Sequence, residues 1–240
     1  MRYFIELSYR GTAYHGWQIQ PNACSVQQTI EEALSKILRC PTEVVGCGRT
    51  DTGVHASFYV AHFESDNSRV EDKDFVYHLN CILPYDIAIH KIYPTELHAR
   101  FDARYREYKY YVSLAKDPFA GENSWLISAP LDFAKMQRAT QIIEGYTDFA
   151  SMSRVGSDNK TTICEIFCAH WETTEKRATF TIGANRFLRG MVRAIVGTLV
   201  EVGRGKIDPE NIHRIMAEGK RSAASAAAPP QGLFLTDVKY

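Results

Sequence analysis

The chain has 240 residues, 45% hydrophobic and 23% charged, a composition that excludes a disordered or fibrous protein. That length makes one large domain or two of about 100–150 residues, able to bury a core without disulfides or metals. The 28 Lys and Arg balance 28 Asp and Glu, which excludes a globally basic nucleic-acid binder but leaves room for a basic cleft on a neutral body.

In chain order, RYFIELSY (2–9) alternates and predicts a strand. Ser25 with Gln28 reads as a capping box, the Gln28 side chain reaching back to Ser25. Behind it Val26, Ile30, Ala33, Leu34, Ile37 and Leu38 recur at helical spacing, which predicts a helix over 26–39. Strands follow at 42–48 and 57–65, a helix at 72–83 stopped by Pro84, and a strand at 86–94. The second half repeats this rhythm without repeating the sequence. Its strand at 105–114 is followed by a helix at 132–144 ended by Gly145. TTICEIFCAHWE and RATFTIGA predict a hairpin. A long helix is expected over 186–202, and another opens at Asp208-Pro209 and closes at Gly219. GLFLTDVKY predicts a last strand. The fold class expected is α+β, in two similar halves, 1–104 and 105–240.

None of the six cysteines forms a C-x-x-C pair. Cys164 and Cys168 are expected on one face of a strand as core thiols rather than metal ligands. MRYFIELSYRG lacks a signal-peptide layout, and no apolar run approaches the ~20 residues of a membrane span. The expectation is a soluble protein of the reducing cytoplasm. There is no P-loop, G-x-G-x-x-G, H-E-x-x-H or G-x-S-x-G pattern, so neither a nucleotide cofactor nor a metal has a visible site.

Three segments could carry chemistry. The first is Gly48-Arg49-Thr50-Asp51-Thr52-Gly53-Val54-His55-Ala56, between two strands. Its Asp51 suits either a turn that caps its own backbone or a carboxylate kept anionic by cationic neighbours, ready to act as nucleophile or base. The second runs from His98 to Tyr111 and interleaves Arg100, Arg104, Arg106 and Lys109 with Phe101 and four tyrosines. That pattern suits RNA, cations for phosphates and rings for unstacked bases, and equally a strand with aromatics inward and charges outward. The third is Asn185 to Arg193. On the expected helix Arg186, Arg189 and Arg193 share a face. Cations there oppose the helix dipole, which suggests a phosphate or carboxylate partner as readily as a solvated stripe.

Taken together, these segments resemble the TruA-type tRNA pseudouridine synthases, over nearly the whole chain. Tyr14 to Gln20 follows the family's Y-x-G-W-Q-x-Q. Gly48 to His55 follows G-R-T-D-x-G-V-H, the most specific block. Asn80 to Ile87, His98 to Phe101, Phe187 to Gly197 and Ala228 to Leu235 follow further blocks in order. The resemblance implies two α+β halves along a continuous, mainly antiparallel mixed sheet with the active cleft between them. It implies a homodimer that needs no cofactor and converts uridine to pseudouridine at positions 38, 39 and 40 of the tRNA anticodon arm. Asp51 matches the family's essential aspartate and Arg193 its basic partner. Tyr108 matches the tyrosine that stacks on the target base, and Arg49 the arginine that helps displace it. Arg104, Arg106, Lys109, Arg186 and Arg189 are further candidate RNA contacts. Thr52, Glu107, Cys164 and Pro230 depart from the family pattern, and Glu107 and Cys164 lessen local positive charge. Two other readings carry the same residues: a tRNA-binding module or RNA folding helper without activity, and a synthase with another RNA target site.

Overall fold

The alternation at the N-terminus forms β1 (Arg2–Tyr9) in the computed structural model, which describes residues 1–156 and 160–240. β1 is buried on both faces because it is central. It pairs antiparallel with β3 (His55–Glu64) on one edge and with β4 (Ile87–Pro94) on the other. The far edge of β3 takes β2 (Val44–Gly46) at one end and, in parallel, β9 (Leu233–Lys239) at the other, through His55↔Phe234 and Ala56↔Leu235. That pairing sorts the chain into two units, Met1–Arg104 with Phe234–Tyr240, and Tyr105–Leu233. The last seven residues, expected with the second half, therefore group with the first.

Two helices complete the first unit. In α1 (Val26–Leu38), Ser25 Oγ accepts from the Gln28 amide at 3.3 Å. The Gln28 side chain does not return to Ser25. It donates to Glu32 Oε1 at 2.8 Å, one turn on, so half of the expected box forms. Helix α1 ends one residue early, at a left-handed Arg39. α2 (Phe75–Ile82) covers the outer edge of β4: the Asn80 amide both donates to and accepts from the backbone of Ile89, at 2.8 Å each. An exposed strand edge invites pairing with another chain, and this side chain occupies it.

The second unit is built on β5 (Tyr105–Ser113), β7 (Ile166–Thr173) and β8 (Arg177–Ala184), all antiparallel in the order β5-β8-β7, with the short β6 (Trp125–Leu126) parallel to β5. α3 (Phe133–Glu144) is capped by Asp132 and lies along β7. Its Glu144 and Gln137 accept from the β7 amides of Ala169 and Trp171, at 2.6 and 3.0 Å. α4 (Met191–Gly203) is almost wholly buried, and the smaller α5 (Asn211–Glu218) closes at left-handed Gly219. Both units are thus α+β with mixed, mainly antiparallel strands, the class expected.

Two expectations fail locally. The long helix does not start at 186. Gly190 sits at φ +72°, a left-handed residue that no helix continues through, so Arg186 and Arg189 precede α4 and share no helical face with Arg193. The hairpin strand begins at Ile166, and a bulge interrupts its register before Cys168. Cys164 lies outside the strand and is fully buried, its amide bonded to the Thr147 carbonyl, while Cys168 is partly exposed. Burial pushes the Cys164 thiol up to about 11, against the pull of the Arg186 charge. Among the described residues no helix is long and apolar enough to cross a membrane, and no cluster of three or more His, Cys, Asp or Glu could hold a metal.

Candidate active site

Asp51 opens a turn. The Val54 amide donates to the Asp51 carbonyl at 3.1 Å, and Gly53 takes φ +76°, a third-position conformation that favours glycine. Backbone closes this turn: Val54 N donates to Asp51 O, and Gly53 N ties it to the Tyr14 carbonyl at 3.3 Å. The Asp51 side chain is half-buried and the Arg49 side chain exposed.

An irregular loop must be held from outside, and here the Tyr14–Gln18 segment does so. Trp17 N donates to Thr50 O at 3.4 Å, and Tyr9 Oη bonds Thr50 Oγ1 at 2.8 Å. Trp17 and Tyr59 stack with centroids 4.1 Å apart, both buried, and Tyr59 Oη donates to the Gly48 carbonyl. Gly16 is at φ +90°, and a Cβ there would collide with the Thr50 carbonyl oxygen. The Tyr14–Gln20 motif and the Gly48–Ala56 motif are therefore one packed object. Arg49 Nε donates to Gln18 Oε1 at 3.2 Å. His55 accepts from Gly11 N at 2.9 Å and stacks on Phe234. It is a buried brace of the loop.

The His98–Asp102 segment is a tight turn. Asp102 Oδ2 accepts from His98 N at 2.6 Å, and His98 Nδ1 from the amides of Arg100 and Phe101. It is tied to β3 by His62 Nδ1, which accepts from Ala99 N at 3.1 Å. His62 is lowered to about 4, first by burial and then by the neighbouring His98. Arg104 is exposed, its amide bonded to Lys239 O.

In the second unit Tyr108 sits on β5 opposite Ile182 and meets Phe187 edge-on at 5.1 Å. Side chains alternate across a strand, so Arg106 and Tyr110 share the Tyr108 face, while Tyr105, Glu107 and Lys109 share the other. Consistently, Tyr105 Oη donates to Glu107 Oε2 at 3.0 Å. Glu107 therefore does not share the face of Tyr108, and Lys109 is not on one face with Arg106. Arg106 donates to Asn185 O at 2.9 Å. Arg186 is half-buried. Arg189 is exposed, and its carbonyl accepts from Arg154 N.

Arg193 is on the third residue of α4. Its Nε donates to Ala228 O at 2.7 Å, and Ala228 N donates back to the Arg193 carbonyl at 2.9 Å. Tyr110 Oη donates to Pro229 O at 2.8 Å. A Cβ on Gly197 would collide with Ala226 O, so the helix and the 226–229 segment are in close contact. Three blocks separated in sequence thus meet: the tyrosine strand, the helix of Arg193 and the Ala228 segment. The mutual lock of Arg193 and Ala228 has no periodicity to announce it.

The first unit thus presents a carboxylate on a braced turn two residues after an arginine, and the second a strand tyrosine and a helix arginine anchored to main chain. A sequence model of the family described as tRNA pseudouridine synthase matches residues 139–240. Over the full chain, proteins named tRNA pseudouridine synthase A from Bacteroides fragilis and Bacteroides thetaiotaomicron are 48% identical, covering 96% and 90% of those relatives. One of the same name from a Thermoanaerobacter species is 38% identical over 98% of both chains. The chain belongs to the tRNA pseudouridine synthase family and is an isomerase that converts uridine to pseudouridine in tRNA.

Proposed function

We propose that the target uridines are those at positions 38, 39 and 40 of the anticodon arm, and that Asp51 is the catalytic carboxylate. The observation that carries this reading is the loop: Asp51 stands on a turn closed by backbone and braced by Trp17, Tyr59 and Tyr9, in the block that most specifically resembles the family. The reaction breaks the N1–C1′ bond, turns the uracil and joins C5 to C1′. The C5 proton is lost and N1 gains one, so atoms and oxidation state balance and no redox equivalent or phosphate is consumed. Asp51 acts as an anion, attacking C1′ or removing the C2′ proton, and Arg193 supplies the compensating positive charge.

A uridine in a stem must leave its stack, at a cost of a few kcal/mol. Arg49 fills the vacated place. Tyr108 stacks on the extruded ring, a contact worth about 1–3 kcal/mol. Arg104, Arg106, Lys109, Arg186 and Arg189 contact the RNA backbone. The enzyme works in the cytoplasm as a homodimer on one tRNA.

The test is tritium release from C5-labelled uridine in tRNA transcripts, followed by mapping of the modified positions. Wild type is expected to release from positions 38–40. Asp51→Asn should fall by more than about 10³-fold while still binding tRNA, the scale of losing a nucleophile or base. Binding without release by wild type would overturn the reading and leave a tRNA-binding module. Release from other positions would keep the chemistry and overturn the substrate site.

A further inference from the structure

The Tyr14–Gln20 motif contributes its buried Trp17 ring to the loop, yet its Gln18 is exposed. What it does is hold Arg49. Among the described residues, Gln18 is the one hydrogen-bond partner of the Arg49 guanidinium. Gln18 Nε2 in turn donates to Gln27 Oε1 at 3.1 Å, and Gln27 Nε2 donates to Glu31 Oε1 at 3.0 Å.

Gln27 is the fixed point. Its oxygen also accepts from Ile19 N at 3.0 Å, and its nitrogen also donates to Val44 O at 2.9 Å. Glu31 Oε1 accepts from Val44 N at 2.9 Å. Two acceptances and two donations exhaust what a glutamine amide can do, so Gln27 cannot turn over without losing four bonds. Its oxygen faces Gln18, and this decides which end of Gln18 points where: nitrogen toward Gln27, oxygen toward Arg49. The chain of amides runs one way, from the guanidinium on the catalytic loop to a carboxylate on α1. Arg49 is bonded through Nε, at the root of the guanidinium. Gln18, Gln27, Arg49 and Arg100 are among the residues that line a pocket of about 120 Å³.

We propose that Gln18 is a positioning residue for Arg49, oriented by Gln27 and Glu31, and that this relay sets how well the enzyme opens a paired uridine as against an unpaired one. The inference rests on the reading of Arg49 as the residue that fills the place of the displaced base. An arginine on a flexible stem must be ordered to enter a base stack, and the relay orders it before RNA arrives.

The experiment compares single-turnover rates at saturating enzyme on two tRNA transcripts. In one, the uridine at position 39 is paired. In the other, the opposite base is changed so that it is not. Gln18→Met keeps the size of the side chain and removes the acceptor. It is expected to slow the paired substrate about tenfold, the scale of one charge-assisted hydrogen bond, and the unpaired one by less than about twofold. Gln27→Met, one step further away, should shift the same ratio about threefold in the same direction. Equal losses on both transcripts, or a change in KM alone, would make Gln18 an ordinary structural or RNA contact and overturn the proposal. Unchanged rates would overturn it too. If wild type converts neither transcript, the reading of the target site falls first and takes this one with it, an outcome distinct from a wild type that is active and a variant that is indifferent.

Discussion

Arg49 in the first unit and Arg193 in the second are each anchored through Nε, but by different means. Arg193 bonds a backbone carbonyl, and that same residue, Ala228, returns a bond to the Arg193 backbone. Arg49 bonds a side-chain amide at the end of a relay of side chains. The second unit fixes its arginine by packing two stretches of main chain together. The first adds side-chain supports to the backbone bonds of its loops: Gln18 under Arg49, His62 under Ala99, Tyr59 under Gly48. A main-chain anchor is lost only when the fold around it moves. A side-chain anchor can be removed by one substitution, and a titratable one by pH. The predictions below separate these two kinds of support.

The largest effect is expected where main chain meets main chain. A methyl group at Gly197 collides with the Ala226 carbonyl, which has no rotamer to escape into. Gly197→Ala should cost about 3 kcal/mol or more, because strain that moves backbone exceeds ordinary overpacking. Urea denaturation measures it. Activity should fall even where the variant remains folded, because the 226–229 segment carries the anchor of Arg193. A variant as stable and active as wild type would mean that this segment yields, and the contrast between the two arginines would collapse.

That contrast also explains what could be read from the sequence. Period and caps gave most elements to within three residues, since the spacing of Val26 to Leu38 or the alternation in β1 is itself the structural repeat. The reading of 186–190 as helix failed because its apolar spacing fits a helix and one backbone angle, at Gly190, does not. The grouping of the last strand with the first unit was hidden for another reason. It depends on two residue pairs with β3 that lie some 180 positions away in sequence. Asp51, Arg49, Tyr108 and Arg193, the site residues proposed above, come from motif alone. The supports were not legible that way. Gly16 and Gly46 beside Trp17 mark close approach, a clue that glycine gives without naming the partner. The Gln18–Gln27–Glu31 relay joins a loop to a helix, so no local pattern contains it.

A smaller effect tests the titratable support. His62 Nδ1 accepts from Ala99 N, which only the neutral ring can do, and burial beside His98 lowers it to about 4 from an ordinary 6.5. The unfolded chain therefore takes up this proton first as pH falls. The contribution of His62 is complete above pH 6.5 and is lost as pH drops toward 4. Between pH 6.5 and 4.5 that loss is about 2 kcal/mol. His62→Gln offers an acceptor that does not titrate. The difference in urea stability between wild type and His62→Gln should thus shift by that amount across the window and stay flat above it. A parallel pair of pH curves would remove His62 as the brace of the 98–102 turn.

The smallest effect distinguishes the two units most sharply. Ser25 caps α1 and Asp132 caps α3, each accepting from the amide three residues on, at 3.3 and 3.0 Å. Replacing either by alanine should cost about 1 kcal/mol, the usual value of a lost N-cap. Their consequences for catalysis should differ. Gln27 is on the second residue of α1, within the turn that Ser25 holds, and it is the fixed point of the relay to Arg49. Loosening that turn gives the Gln27 amide alternatives to its four bonds. Ser25→Ala should therefore slow conversion of a paired uridine about twofold relative to an unpaired one. The first turn of α3 carries no residue bonded to Arg193 or Tyr108, so Asp132→Ala should lose the same stability with no change in that ratio. Equal stability losses with a shifted ratio in Ser25→Ala alone would tie the effect to the relay. The same shift in both variants would mean that the ratio follows global stability, and that the side-chain anchor of Arg49 has no separate role.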